Sequence, residues 1–376
     1  MRKPKLGFLT ERMLLGFGVD LVIHKTAEGL AALGYEVTVF PSVSDGTFEN
    51  DRYQIIPLGI PASRIFPYFE WNALKKLRWL RTQDIDLFLI ETFPFFALGP
   101  FLRKPFVVVD HGVSSTSGCP LWLKADFLCM RLTQHYVYFP LATRVVAISR
   151  FIRDRLPLFL RRRARVIYSG SDHYSTDREI GAGRVTIRRK FGIEDDEVLL
   201  LYVGRINPRL QPYKGTARLI DCVQRLKSRG HRVQLLMVGF GSKEDEAWLS
   251  AQGVRCWMSA PAEEMPSIYA ASDIYVTASE WEGFDLPLAE AQRFGKPAVA
   301  LNIGAHAEVV RNGETAYLVD GLEELEEATR SLVLDRDLRR RMGEMATKSA
   351  ERFSWSGAIA EYDRLIREIG QERWTR

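Results

Sequence analysis

The stretch SEWEGFDLPLAEAQRFGKPAVA, Ser279–Ala300, decides how the rest of the chain is read. An apolar run, Ile274–Thr277, precedes it as a strand, and Leu288–Gln292 falls in the first turns of the helix that follows. Gly283 lets the backbone come close to a ligand. The amides of Phe284, Asp285 and Leu286 stand near a helix N-terminus, where they can donate to anionic oxygens. Glu282 and Glu290 bracket the turn with seven residues between them, one on the loop and one on the helix. Carboxylates there can accept from sugar or ribose hydroxyls. The same spacing also suits a plain strand, capped turn and helix with solvated acids.

Working outward, short apolar runs alternate with longer amphipathic stretches, the pattern of βα units on a parallel sheet. The first half predicts strands at Leu6–Thr10, Glu36–Phe40, Leu87–Ile90, Phe106–Val109, Val145–Ile148 and Val166–Tyr168. Val19–Leu33 has helical periodicity and stops at Gly34. A polar stretch, Ser171–Val185, reads as a linker. Beyond it the pattern resumes with Leu199–Val203, Gln234–Val238, Arg255–Met258, Ile274–Thr277, Ala298–Leu301 and Tyr317–Val319, and a helix over Trp355–Ile369. Two doubly wound halves place a ligand at the carboxyl ends of the strands.

The glutamate pair resembles the E-x7-E motif of the retaining GT-B glycosyltransferases of glycosyltransferase family 4 (group 1). Their usual form is E-G-F-G-L-P-x-x-E-A followed by G-x-P-V-V-A. This chain has EGFDLPLAEA from Glu282 and GKPAVA from Gly295. The resemblance implies an α/β GT-B fold, two Rossmann-like doubly wound domains facing a central cleft. Residues 1–172 would be the acceptor-side domain, with a helix at about 356–376 packing back on it, and 186–355 the nucleotide-sugar-binding domain. It further implies that Glu282 contacts the donor sugar and Glu290 the ribose. Asp285 stands where the family has Gly, and its carboxylate is expected near the donor sugar, altering donor choice.

A second signal is VGRINPRLQPYKG, Val203–Gly215. Arg205 and Lys214 can neutralise the charge that develops on a leaving diphosphate, although two cations in a loop are also ordinary surface chemistry. The family pattern is G-R-L-x-x-x-K-G. Here the loop is longer and carries Pro208, Arg209 and Pro212; Lys214, followed by Gly215, is the expected cation, with Arg209 as the alternative.

In the first half, Asp110-His111-Gly112 ends a strand, and His111 is either structural or a donor contact; the resemblance favours the contact. Gly16 and Gly18 lie between the first strand and first helix, with Leu21 at the third glycine position of a dinucleotide fingerprint, which argues against NAD. The resemblance places such a loop beside the diphosphate and acceptor. VIYSGSD, Val166–Asp172, resembles the family's domain crossover, and Gly239 and Gly241 its G-x-G. Trp257 and Met258 are candidates for the base pocket, with core packing as the alternative.

Composition narrows the classes further. The 376 residues suit two domains, and 46% hydrophobic with 26% charged residues is a globular balance. Lys+Arg 52 against Asp+Glu 47 leaves +5, too mild to imply nucleic acid. Cys119, Cys129, Cys222 and Cys256 have no metal or redox spacing and read as buried thiols in a reducing compartment. Glu11 and Arg12 interrupt the apolar N-terminal run and no small-residue cleavage site follows, so a cytoplasmic protein is expected. No apolar stretch is long enough to span a membrane. Asp84-Ile85-Asp86 and Asp335-Arg336-Asp337 are weak as metal motifs, and neither a metal nor a cofactor is expected, the nucleotide-sugar being a substrate. RDRLPLFLRRRARV, Arg153–Val166, and the aromatic stretch Phe93–Phe106 read either as a solvated basic face beside an ordinary core, the slightly preferred reading, or as peripheral contact of the first domain with the inner face of an anionic membrane bearing a lipid-linked acceptor. The partners expected are thus a nucleotide-sugar donor and a glycan, lipid-linked or small-molecule acceptor. A nucleotide-sugar hydrolase or epimerase of the same fold, or an inactive nucleotide-sugar-binding protein, is the alternative.

Overall fold

Strand formation follows the apolar runs closely. In the computed structural model, which describes residues 2–61, 67–113, 116, 120–176, 180–209 and 211–373, one sheet contains β1 (Leu6–Met13), β2 (Val37–Ser44), β3 (Gln54–Ile55), β4 (Leu87–Ile90), β5 (Phe106–Asp110), β6 (Arg144–Ala147) and β7 (Ala164–Val166). The other contains β8 (Val198–Arg205), β9 (Val233–Phe240), β10 (Arg255–Met258), β11 (Ile274–Thr277), β12 (Ala298–Leu301) and β13 (Ala316–Val319). Their orders are β3-β2-β1-β4-β5-β6-β7 and β10-β9-β8-β11-β12-β13. In each sheet the first strand of the half lies inside, and the order reverses beside it, the Rossmann-type switch point.

The chain divides into two units. One runs to Gly170 and resumes at Trp355; the other is Ser171–Ser354. The helix Trp355–Arg373 therefore belongs with the first sheet. Ile359 fills the space above Gly29, where a Cβ would lie 1.8 Å from the Ile359 Cδ1. Tyr35 donates to Asp363 at 2.6 Å and Arg165 to Glu368 at 2.8 Å.

Several expectations shift. β1 and β2 end three and four residues further along the chain than expected, their parallel register continuing to Met13↔Ser44. β7 lies two residues earlier than Val166–Tyr168, and the short β3 had no sequence signal. The expected linker Ser171–Val185 ends in a helix, Ile180–Lys190, that belongs to the second unit; residues 177–179 of that linker lie outside the described residues. The aromatic stretch Phe93–Phe106 is core rather than surface: Phe95, Phe96 and Leu98 are buried, while Phe101 is half-exposed. The thiols also differ from expectation. Cys222 is buried, Cys256 intermediate and Cys129 exposed, and Cys119 lies outside the described residues.

Candidate active site

The E-x7-E loop is built by steric necessity on both sides. The carbonyl of Glu282 accepts from Ala305 N at 3.1 Å. Gly304, at φ 56°, lies so close that a Cβ would sit 2.3 Å from that carbonyl oxygen. From the other side, Glu280 N donates to Tyr213 O at 2.7 Å. Gly215, at φ 65°, would put a Cβ 2.0 Å from Ala278 O. The glycine after Lys214 is thus required by the contact, and it fixes the short turn Pro212–Lys214 against the loop after β11.

That contact delivers Lys214 to Glu282. The Lys214 Nζ is 2.8 Å from Glu282 Oε1, and Glu282 is buried. Burial works against the Lys214 charge, but the Glu282 carboxylate outweighs it and holds the ammonium above its usual range. Arg205 ends β8, and its carbonyl accepts from the Tyr202 hydroxyl at 3.2 Å. That phenol lies in the field of Lys214, Glu282 and Asp285. Arg209, in contrast, is exposed, and its charge acts on Glu244. Lys214, not Arg209, is the cation the fold sets beside Glu282. Close approach also explains VGFG: a Cβ on Gly239 would lie 1.7 Å from Gly204 O, and one on Gly241 2.4 Å from Ile206 O.

Glu290, four percent exposed, lies on the helix Leu286–Arg293. Its Oε2 accepts from the Tyr269 hydroxyl, and Oε1 lies 3.1 Å from His173 Nε2. The Tyr174 ring packs against His173 at 4.2 Å, tilted by 48°. The Tyr275 hydroxyl, raised by burial first, feels Asp285, Glu282 and Glu290 together, so one phenol reports both glutamates. Sequence reasoning took the His173 region as part of the linker Ser171–Val185. The segment instead supplies two side chains around Glu290, and only their place after Gly170-Ser171-Asp172 hinted at it.

Asp285 has a structural task within the protein: its carboxylate caps the helix by accepting from Leu288 N at 3.2 Å, and its other oxygen is 3.1 Å from His306 Nε2. The second nitrogen of His306 is 2.7 Å from Leu301 O. With acceptors facing both nitrogens, the doubly protonated ring satisfies both. Burial opposes this charge, and Asp285 overcomes it, so the His306 pKa is raised. Gly283 is buried in the same turn, Leu286 opens the helix, and Phe284 packs edge-on to Phe353 at 5.3 Å.

Trp257 and Met258 end the strand expected for them. They lie on β10, at the edge of the sheet. The Trp257 ring packs 5.9 Å from Phe191 with Lys190 Nζ 3.0 Å from its centre, and Met258 packs on the core. Both side chains are intermediate in burial, packed on one side and open on the other.

In the first unit, Gly16 takes φ 87° in the loop after β1, and Gly18 begins the helix Gly18–Ala32 with open space where a Cβ would be. Arg12 lies over the Phe17 ring at 3.9 Å. His111 Nε2 is 2.9 Å from Glu91 Oε2. Glu91 follows β4, the neighbour of β5, and was not singled out from the sequence, although it closes a strand just as Asp110 does. Asp110 is buried, which pushes its carboxyl up to about 6, against the Gly112 amide that it accepts from. Among the described residues, no three His, Cys, Asp or Glu side chains gather as a metal site would. Asp84 and Asp86 are engaged by Lys5, and Asp335 caps a helix.

Comparison with known proteins agrees with this architecture. The family described as Glycosyl transferases group 1 matches residues 184–349, and Glycosyltransferase Family 4 matches residues 18–174. The chain belongs to the group 1 glycosyltransferases of glycosyltransferase family 4. It is 34% identical over 207 residues to a D-inositol 3-phosphate glycosyltransferase of Corynebacterium jeikeium strain K411, covering 50% of this chain and 48% of that protein. It is 28% identical over 246 residues to an alpha-D-kanosaminyltransferase of Streptomyces kanamyceticus, covering 61% and 62%. The chain thus spans about half the length of the inositol-phosphate relatives it matches. Among solved structures, sucrose-phosphate synthase from Thermosynechococcus elongatus superposes with a TM-score of 0.79 at 18% identity, covering 98% of this chain and 100% of that one. HepE from Anabaena in complex with UDP-glucose gives 0.77 at 18% identity, covering 97% and 100%. The fold is GT-B, α/β with two Rossmann-like domains.

Proposed function

We propose that the protein transfers a hexose-type sugar from a nucleotide-sugar donor to a glycan, lipid-linked or small-molecule acceptor, with retention at the anomeric carbon and without a metal ion. The observation that supports it best is the Lys214–Glu282 pair, 2.8 Å apart, in the same unit as buried Glu290. In this reading Glu282 holds the sugar and leaves Lys214 poised at the diphosphate. Arg205, at the end of β8, supplies the second cation. Glu290 takes the ribose hydroxyls on the lone pairs that Tyr269 and His173 leave open.

The reaction balances without a protein nucleophile. The bond from the anomeric carbon to the diphosphate oxygen breaks while the acceptor oxygen bonds that carbon from the same face. The acceptor's proton passes to the departing diphosphate, whose growing charge the two cations stabilise. Within the first unit, His111, braced by Glu91 at 2.9 Å, is the candidate contact to sugar or acceptor, and Gly16 and Gly18 are its candidate glycine loop. The protein works on the cytoplasmic side of the membrane, in peripheral contact with it.

HepE binds UDP-glucose, so UDP-glucose heads the donor panel. A true donor raises the melting temperature by mass action and turns over slowly until an acceptor is added. If no nucleotide-sugar stabilises the protein, the proposal fails. Rapid donor breakdown without acceptor would make it a hydrolase instead, and stabilisation with no turnover a binding protein.

A further inference from the structure

The helix Leu121–Thr133 has no buried residue along its length, although its sequence, LWLKADFLCMRLT, is mostly apolar. Leu121, Ala125, Leu128 and Leu132 recur at the spacing of one helix face. Such a stripe normally turns to the core, yet Leu121 is 83% exposed, Trp122 68%, Leu128 47% and Leu132 46%. The face continues past the helix. The Tyr136 ring lies 6.0 Å from Phe159, in the helix Leu158–Arg161, where Leu158 and Phe159 are 60% and 47% exposed. A continuous apolar patch of this kind on a protein surface marks something that covers it.

The charges around the patch say what. Arg131 and Arg155 both bear on His135, one turn beyond the helix. Arg161, Arg162 and Arg163 are exposed, and the Arg163 guanidinium donates to the carbonyls of Pro140 and Ala142, at 3.4 and 3.2 Å. Of the acids nearby, Asp154 is paired with Arg153 at 2.9 Å. Exposed leucine and tryptophan framed by arginine match a surface that is apolar inside and anionic outside.

We propose that this face docks the first unit on a lipid bilayer with anionic headgroups. No helix among the described residues is long and apolar enough to cross a membrane, so the contact is peripheral. The same segment is tied to the candidate site: His135 Nε2 is 4.0 Å from Asp110 Oδ2, and His111 is the next residue. Docking there presents a lipid-linked acceptor beside His111, a choice of acceptor that rests on the proposed transferase reading; the docking itself does not.

The test is sedimentation of the full chain with phosphatidylcholine vesicles, with and without phosphatidylglycerol. Retention is expected on the anionic vesicles at low salt, falling at least about tenfold in high salt. The pair Trp122→Ser with Leu128→Ser should weaken it at least about tenfold, and Arg161→Ala with Arg162→Ala should remove most of its salt sensitivity. Both variants should keep the wild-type melting temperature and the donor-induced shift. Absence of retention on anionic vesicles overturns the proposal, as does retention that the substitutions leave unchanged. A dimer in light scattering that Trp122→Ser with Leu128→Ser dissociates would also overturn it, in favour of a second copy on this face. Loss of the donor-induced shift with vesicle binding intact would sink the transferase reading alone.

Discussion

Asp285 and His306 form a fully enclosed couple: Oδ2 of the one lies 3.1 Å from Nε2 of the other, and His306 is wholly buried. Asp285 occupies the position at which the family motif has glycine. Its partner His306 comes from the turn that also holds the Glu282 carbonyl.

Asp285→Gly should strand His306 without its acceptor and cost about 2–4 kcal/mol. Asp285→Gly with His306→Leu should cost less than the sum of the single changes, because no buried charge remains. Denaturant melts of the two single variants and the double variant measure this coupling; additivity would contradict it.

The same couple sets a pH dependence. His306 faces Asp285, Glu282 and the Leu301 carbonyl, and its folded pKa is raised above 6.5. The stabilisation is full below 6.5 and declines as pH climbs through the raised value. Melting temperature against pH should show a falling limb that begins above pH 6.5 and that His306→Gln flattens.

Glu70 gives a separate limb in the first unit. It is buried, neither carboxylate oxygen has a hydrogen-bond partner, and burial, with help from Asp126, pushes its pKa up to about 7 from 4.5. The native state holds that proton more tightly than the unfolded chain. Stability should therefore fall between pH 4.5 and about 7. Glu70→Gln should recover about 3 kcal/mol at pH 8 and change little at pH 4. Identical pH profiles of the two proteins would remove Glu70 from the account.

Lys214→Met should lower kcat by a hundredfold to a thousandfold, about the loss seen when one transition-state charge partner is removed. It should affect acceptor KM little. A change confined to KM would mean that Lys214 binds the ground state only.

Glu290→Ala should weaken nucleotide-sugar affinity at least about tenfold, since hydrogen bonds to a charged group are the stronger kind. Titration of the donor by calorimetry reads this directly. Unchanged affinity would show that the ribose lies elsewhere.

What could be read from sequence followed the reach of each interaction. β4, β10, β11 and β12 were legible to the residue because each is a short apolar run bounded by polar chain. β1 ran past its expected end because Glu11 and Arg12 looked like loop, yet the ladder to β2 carries them. The helix Ile180–Lys190 was read as linker because IGAGRVTIRRK has poor local propensity. Its anchors are tertiary: Arg184 and Arg188 pair with Asp273 at 2.9 and 3.1 Å. The glutamates and Lys214 were visible as a motif. His173, Tyr269 and His306 were not, because each reaches the motif from a distant segment and no spacing rule connects them.

The placement of Trp355–Arg373 with the first sheet has a consequence for how the protein is made. The Ser171–Ser354 unit sits in the sequence as an insertion, entered at Gly170–Ser171 and left at Ser354–Trp355. On the ribosome it is complete while the earlier unit still waits for Ile359 and Asp363 to reach Gly29 and Tyr35. The half that emerges first is the half that closes last, so chaperone demand should concentrate there.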